Sequence, residues 1–198
     1  MTVDDPRPDD ARPAKPVSSN RSAGLRNVAE WVAIVVGAVV VALLVKTFLV
    51  QAFRIPSASM EDTLLIGDRV MVNKLSYRMH DVNRGDVVVF DRPEGLPGGA
   101  QEPEDLIKRV IGLPGDTLQT VDGKVLRNGA PIDEPYLKPG STTTGIEQPV
   151  TVPDGTVWVM GDNRNNSSDS RVFGPIPQTS IVGRAFVIMW PPSQFSTL

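Results

Sequence analysis

The sequence predicts a mainly β domain preceded by a single apolar helix. Three observations predict it. Past Arg54 the apolar residues fall in short runs of Val, Ile, Leu and aromatics bounded by Gly, Pro, Asp and Asn, the pattern of many short strands. Asp122-Gly123 and Asn128-Gly129 bracket Lys124 to Arg127, and such dipeptides suit the positive backbone angles of tight hairpins. The long uninterrupted apolar stretch lies near the N-terminus and begins at Trp31.

Residues 1–27 hold four prolines, five basic residues and four aspartates, too little apolar surface to offset the entropy of ordering, and are read as a disordered tail. From Trp31 to Val45 run fifteen residues with no charged or strongly polar side chain, and apolar character resumes after Lys46 as far as Phe53. Residues 31–53 would reach about 34 Å as a helix, enough to cross a bilayer if Lys46 snorkels to an interface. The expected transmembrane helix is 28–53. A cleaved secretory signal ending near Val50-Gln51-Ala52 and a buried core helix are the other readings of this stretch. Arg12, Lys15, Arg21 and Arg26 precede it while Lys46, Arg54 and Arg69 follow, a bias that leans towards a cytoplasmic N-terminus.

Residues 54–198 form the expected β domain. Val70 to Val72, Val87 to Phe90, Leu106 to Ile111, Val157 to Met160 and Arg184 to Trp190 are its strands, with a small hairpin module at 117–135 that extends with its loop to about 150. Arg92 to Asp105 and Pro139 to Pro149, rich in Gly, Pro, Ser, Thr and Glu, are expected to be mobile surface loops.

Composition removes whole classes of function. With 20 Lys and Arg against 23 Asp and Glu the net charge is −3, so the broad basic face that nucleic acid requires is not evident. Cysteine is absent and His80 is the one histidine, which excludes disulfides, Cys-rich zinc sites, Cys nucleophiles and sites needing two imidazoles. Neither G-x-S-x-G nor S-x-x-K occurs, so a serine nucleophile here needs another base. The run from Gly161 to Arg171 is no EF-hand loop, because Arg164 stands at the third position and no glycine at the sixth. No metal or cofactor is implied.

Three segments carry the chemistry: Arg54-Ile55-Pro56-Ser57-Ala58-Ser59-Met60 directly after the apolar stretch, Leu106 to Asp116 with Lys108 among branched aliphatics, and the polar run Gly161 to Arg171. Together with Gly67 to Val72, Arg84 to Phe90 and Trp190-Pro191-Pro192, all in the same order, they closely resemble the boxes of bacterial type I signal peptidases, over nearly the whole chain. One departure is Asp62, where that family usually has a proline before Thr63-Leu64; the loss of a fixed backbone angle would loosen the serine loop.

The resemblance implies a signal-peptidase-like antiparallel β catalytic domain, anchored by a single pass with its catalytic part extracytoplasmic. By the same resemblance Ser59 is the nucleophile and Lys108 the general base, Ser57 serves the oxyanion hole, and Ser167 orients the lysine. Asp162, Asp169 and Arg171 support the site, while Phe53, Ile55, Leu64 and Ile107 line pockets for small side chains. Its partners would be signal peptides of exported preproteins, cut after Ala-x-Ala, and membrane lipid. Independently, a lysine can act as a base once burial lowers its pKa, and each unit of lowering costs about 1.4 kcal/mol. At most eight residues separate Val50 from Ser59, an extended reach of about 30 Å, which keeps the serine near a bilayer surface. A catalytically silent anchored β domain that binds exported or envelope proteins is the alternative. It has no need of Ser59 and Lys108 together.

Overall fold

The computed structural model describes residues 21–96 and 103–198. The chain divides after Leu43 into two units. The first ends within a helix, α1, spanning Arg21–Phe48, in which side chains are described for Asn27 and for 30–43. Two boundaries differ from the sequence reading. Residues 21–27, expected in the disordered tail, are helical: no proline lies between Pro16 and Pro56 to stop the helix from extending backwards. Residues 1–20 lie outside the described residues. At the other end the helix stops at Phe48 rather than Phe53, because Val50–Arg54 forms a strand whose backbone groups pair antiparallel with Asn73 to Arg69. Among the described residues no helix is long and apolar enough to cross a membrane.

The second unit contains strands β1 (Val50–Arg54), β2 (Arg69–Asn73), β3 (Val87–Asp91), β4 (Asp105–Gly112), β5 (Thr117–Val121), β6 (Lys124–Arg127), β7 (Ala130–Pro131), β8 (Val150–Thr151), β9 (Thr156–Met160), β10 (Ile176–Pro177), β11 (Ile181–Trp190) and β12 (Ser196–Thr197). Two one-turn helices interrupt them, α2 (Ser76–Met79) and α3 (Ser170–Phe173). The larger sheet runs β1-β2-β11-β3-β4-β9-β10 with β12 added on β11, and the smaller runs β7-β6-β5-β8. All their pairings are antiparallel.

Burial follows a period of two along β3: Val87 and Val89 join one core cluster with Ile55, Met60 and Leu64, while Val88 and Phe90 join another with Val110 and Val159. An unbroken apolar run is thus a strand covered on both faces. The small sheet closes over a third cluster that includes Ile111, Leu118, Trp158 and Met160. Its turns use Asp122 and Asn128, each followed by glycine, all at positive φ, the geometry of primed hairpin turns. Residues 139–149, expected to be mobile, are irregular but pinned. Thr143 N–H donates to Gly123 O, Ile146 and Thr120 exchange hydrogen bonds, and Ile146 is buried in the third cluster. Residues 97–102 of the other expected loop lie outside the described residues.

Long β11 crosses between β2 and β3, and the crossing needs glycine at 183. A Cβ there would lie 2.4 Å from the Asn73 carbonyl oxygen and 2.8 Å from Val72 Cγ1. Gly183→Ala is expected to destabilise the domain by about 2 kcal/mol or more, read as a lower urea midpoint at unchanged slope.

Candidate active site

The serine turn is assembled from short-range constraints. β1 ends at Arg54, Pro56 follows, and Ala58–Met60 makes one 3-10 turn. Ile55 is locked on both sides, donating to Asp68 O and accepting from Gly67 N–H, and the Asp68 carboxylate holds the Leu65 N–H. From the far side Asn163 reaches the turn twice: its N–H donates to Ser59 O at 3.1 Å and its Nδ2 to Ala58 O at 3.0 Å. Ser59 is left 8% exposed. Ser57 Oγ stands 3.4 Å from Ser59 Oγ.

Lys108 comes to this turn from β4. That strand lies between β3 and β9, and the side chain is 3% exposed. Its Nζ is 2.8 Å from Ser59 Oγ and 2.9 Å from its neighbour's carbonyl, Ile107 O. Burial lowers the Lys108 pKa from its ordinary 10.5 to about 8, against the opposing fields of Asp169 and Asp162. At neutral pH roughly a tenth of such amines are neutral, against fewer than one in a thousand for an exposed lysine. A neutral amine at this distance can take the serine proton.

The polar run after β9 forms the frame. Asp162 receives a two-pronged guanidinium from Arg109, at 2.9 and 2.7 Å, together with the Thr63 hydroxyl. Arg109 also donates to Gly85 O and lies over the Tyr136 ring, 4.0 Å from its centroid. Asp169 caps α3 by accepting from Arg171 N–H, accepts from Arg171 Nε and Nη2 at 2.9 and 2.8 Å, and accepts from Gly161 N–H. Burial works to raise the Asp169 pKa, but Arg171, Gly161 N–H and the nearby Ser167 hydroxyl outweigh it and hold the carboxyl below its ordinary range. Arg164, buried, donates to Gly161 O and Thr143 Oγ1 and pairs with Glu134 of the small sheet's connection.

The sequence-predicted residues fall into three groups. Ser57, Ser59 and Lys108 converge, and Asp162, Asp169 and Arg171 surround them as an ion-paired frame. Ser167 is half-buried near them, and its solvent-shielded Oγ makes no hydrogen bond of standard geometry. It packs against Gly161, where a Cβ would lie 2.3 Å from Ser167 Oγ and 2.4 Å from Ser59 O. Lys108 spends its contacts on Ser59 and Ile107 O instead. A cavity of about 540 Å³ opens over Ser57, Ser59 and Lys108. An adjoining one of about 280 Å³ is lined by Phe53, Ile55 and Ile107 with Val89 and Leu106. Leu64 lines neither and is fully buried in the core beside Ile55 and Met60.

Asp62, standing where a proline was expected, forms an ion pair with Lys138 at 2.8 Å on the surface. Sequence reasoning missed Thr63, Arg109, Gly161, Asn163 and Arg164. Arg109 follows Lys108 within an apolar run, and a second cation buried in a strand was the available signal. Asn163 and Gly161 act through backbone packing, which leaves no compositional trace.

A buried serine–lysine contact on a β scaffold is the kind of arrangement found in serine peptidases, and comparison with known proteins identifies the chain as a serine peptidase. The family model "Signal peptidase, peptidase S26" matches residues 28–190. The chain is 42% identical to a signal peptidase I from Leptolyngbya laminosa over 190 residues, 94% of this chain and 91% of that one. It is 35% identical to the signal peptidase I of Mycobacterium tuberculosis over 239 residues (96% and 81%) and 36% identical to signal peptidase IB of Staphylococcus aureus over 186 residues (86% and 93%). A crystal structure of a signal peptidase I from Enterococcus faecalis is similar with a TM-score of 0.42 at 30% identity, covering 53% of this chain and 97% of its own. The chain belongs to the signal peptidase family, peptidase S26.

Two outcomes follow from the geometry. Gly161→Ala must displace either Ser167 or the Ser59 carbonyl, and peptidase turnover is expected to fall at least tenfold while the fold persists, checked by kcat beside circular dichroism. For Lys108, the native state below about pH 8 holds an ammonium in a dry site, whereas the unfolded chain hydrates it. Stability therefore rises with pH from about 8, as the native amine loses its proton, and levels off near 10.5. Lys108→Met removes that charge. The variant should gain on the order of 3 kcal/mol over wild type at pH 7, and the gap should shrink as pH approaches 10.5, measured by paired urea titrations.

Proposed function

We propose that this protein is a membrane-anchored serine endopeptidase that removes signal peptides from exported preproteins, cutting after small residues in Ala-x-Ala contexts. The observation that carries this reading is the 2.8 Å contact between Ser59 Oγ and the Nζ of a lysine whose pKa burial lowers to about 8. In the proposed reaction neutral Lys108 takes the Ser59 proton as Oγ attacks the scissile carbonyl. The resulting ammonium protonates the leaving amine, and water deprotonated by the same lysine releases the acyl group. Ser57 Oγ–H and the Ser59 N–H donate to the developing oxyanion, a type of contact that contributes about 3 kcal/mol per donor. Ser167 is a positioning residue, through its packing on Gly161 beside Ser59.

The substrate reading rests on the named relatives, each a signal peptidase I or IB, and on a narrow, mainly apolar cavity beside the serine that suits small side chains. Anchoring rests on α1. Between Trp31 and Leu43 the helix carries no polar face, and Trp31, Ile34, Val35, Val39 and Leu43 are exposed, as in helices that bury themselves in lipid. With the N-terminus cytoplasmic, the domain faces outward, where signal peptides present their cut sites.

Full-length protein in dodecyl maltoside should cleave a preprotein carrying Ala-x-Ala, the new terminus lying after the second alanine by mass spectrometry. Ser59→Ala and Lys108→Met should each lower the rate at least a thousandfold while remaining folded. Cleavage that persists in either variant, or a cut elsewhere, would refute the assignment. Folded wild-type protein inert towards several preproteins would point to a silent binding domain.

A further inference from the structure

A second cavity, of about 630 Å³, shares no lining residue with the two beside Ser59. Three basic residues line it, Lys74 after β2, Arg78 in α2 and His80 beyond it, with one acidic lining residue, Asp81. Part of that positive charge is used inside the protein, since the Lys74 ammonium acts on the Asp105 carboxylate. Lys74 Nζ donates to the neutral side chain of Gln51 at 3.1 Å, and among the described residues Arg78 has no ion-pair partner. His80 directs Nδ1 to Asp81 O at 2.9 Å, which leaves Nε2 uncommitted among the described residues. Tyr77 supports the cluster from beneath, edge-on to the His80 ring at 5.5 Å with its hydroxyl tied to Asp86. Gln178, Thr179, Ile181 and Val182 also line it, the last two resting partly on the core clusters below.

We infer that this cavity binds a phosphate ester: Lys74, Arg78 and His80 receive the phosphate, and the Ile181–Val182 wall takes the organic group. Guanidinium and ammonium donors around one cavity suit a compact multivalent oxyanion, and the aliphatic wall favours an ester over a bare ion. The cavity begins where the chain leaves α1, since Lys74 N–H donates to Leu49 O. On the anchor reading proposed above, a phospholipid head group is one source of such an ester. The phosphate chemistry does not depend on that reading, whereas the lipid source does.

His80 is the only histidine, so its ring resonances report this cavity without assignment of the whole chain. Full-length protein in dodecyl maltoside, with isotope-labelled histidine, is titrated with inorganic phosphate and separately with monomeric dihexanoyl phosphatidylglycerol, with sodium chloride at matched ionic strength as reference. The expected result is a saturable shift of the His80 signal with phosphatidylglycerol. Arg78→Gln should weaken it at least tenfold, as should Thr179→Glu, which adds a repelling charge at an exposed position. Equal affinity for inorganic phosphate would assign the site to free phosphate; tighter phosphatidylglycerol binding would assign it to the head group. No saturable shift with either probe, or the same shift in Thr179→Glu, would overturn the site. None of these readouts depends on peptidase activity.

Discussion

The structure turns on one unfavourable burial: an amine placed in an interior strand, where its charged form loses water and gains only a serine hydroxyl and a backbone carbonyl. A protein ordinarily avoids this by leaving such a lysine at an edge or pairing it with a carboxylate. Here β4 is an interior strand, and among the described residues no carboxylate touches Nζ. That destabilisation makes the amine a weaker base but leaves a useful fraction of it neutral, and so able to take a proton, near neutral pH.

Two carboxylates nonetheless stand close enough to oppose it. Asp162 and Asp169 both pull the Lys108 pKa upward, and either one left free would oppose the effect of burial more strongly. Each is instead occupied by its own guanidinium, Arg109 on Asp162 and Arg171 on Asp169, in two-pronged contacts. Such pairing neutralises most of the carboxylate field at short range, so burial wins. The same pairs give the frame its rigidity. Arg109 and Asp162 tie β4 to Thr63 after the serine turn, Asp169 fixes Gly161 N–H, and Asn163 holds the Ser59 and Ala58 carbonyls. Electrostatic balance and geometric positioning are thus one construction.

Much of this was legible in the residues. The strands announced themselves as β-branched runs, and Asp-Gly and Asn-Gly marked the hairpins because their positive φ angles admit few other residues. The scarcity of histidine forced the question of another base. The N-terminal boundary was less legible, since Val50 to Phe53 is apolar enough to continue a helix and becomes a strand only because β2 is there to pair with it. Pro139 to Pro149 has a loop's composition, yet tertiary contacts through Thr143 and Ile146 pin it. Leu64 and Ile55 are equally apolar on paper, and only the fold sends Ile55 to a cavity wall and Leu64 wholly into the core. Arg109 and Arg164 were hidden for a related reason: their partners lie 53 and 30 residues away in the chain.

The most direct test is the titration of Lys108 itself. With lysine side chains isotope-labelled and the Lys108 signal identified by its loss in Lys108→Met, the pH dependence of its Cε resonance gives the amine's own midpoint in the folded, ligand-free protein. A midpoint near 8, with the other lysines near 10.5, is the result this account predicts. A Lys108 midpoint near 10.5 would contradict it, because an amine that remains charged at neutral pH cannot serve as the base for Ser59.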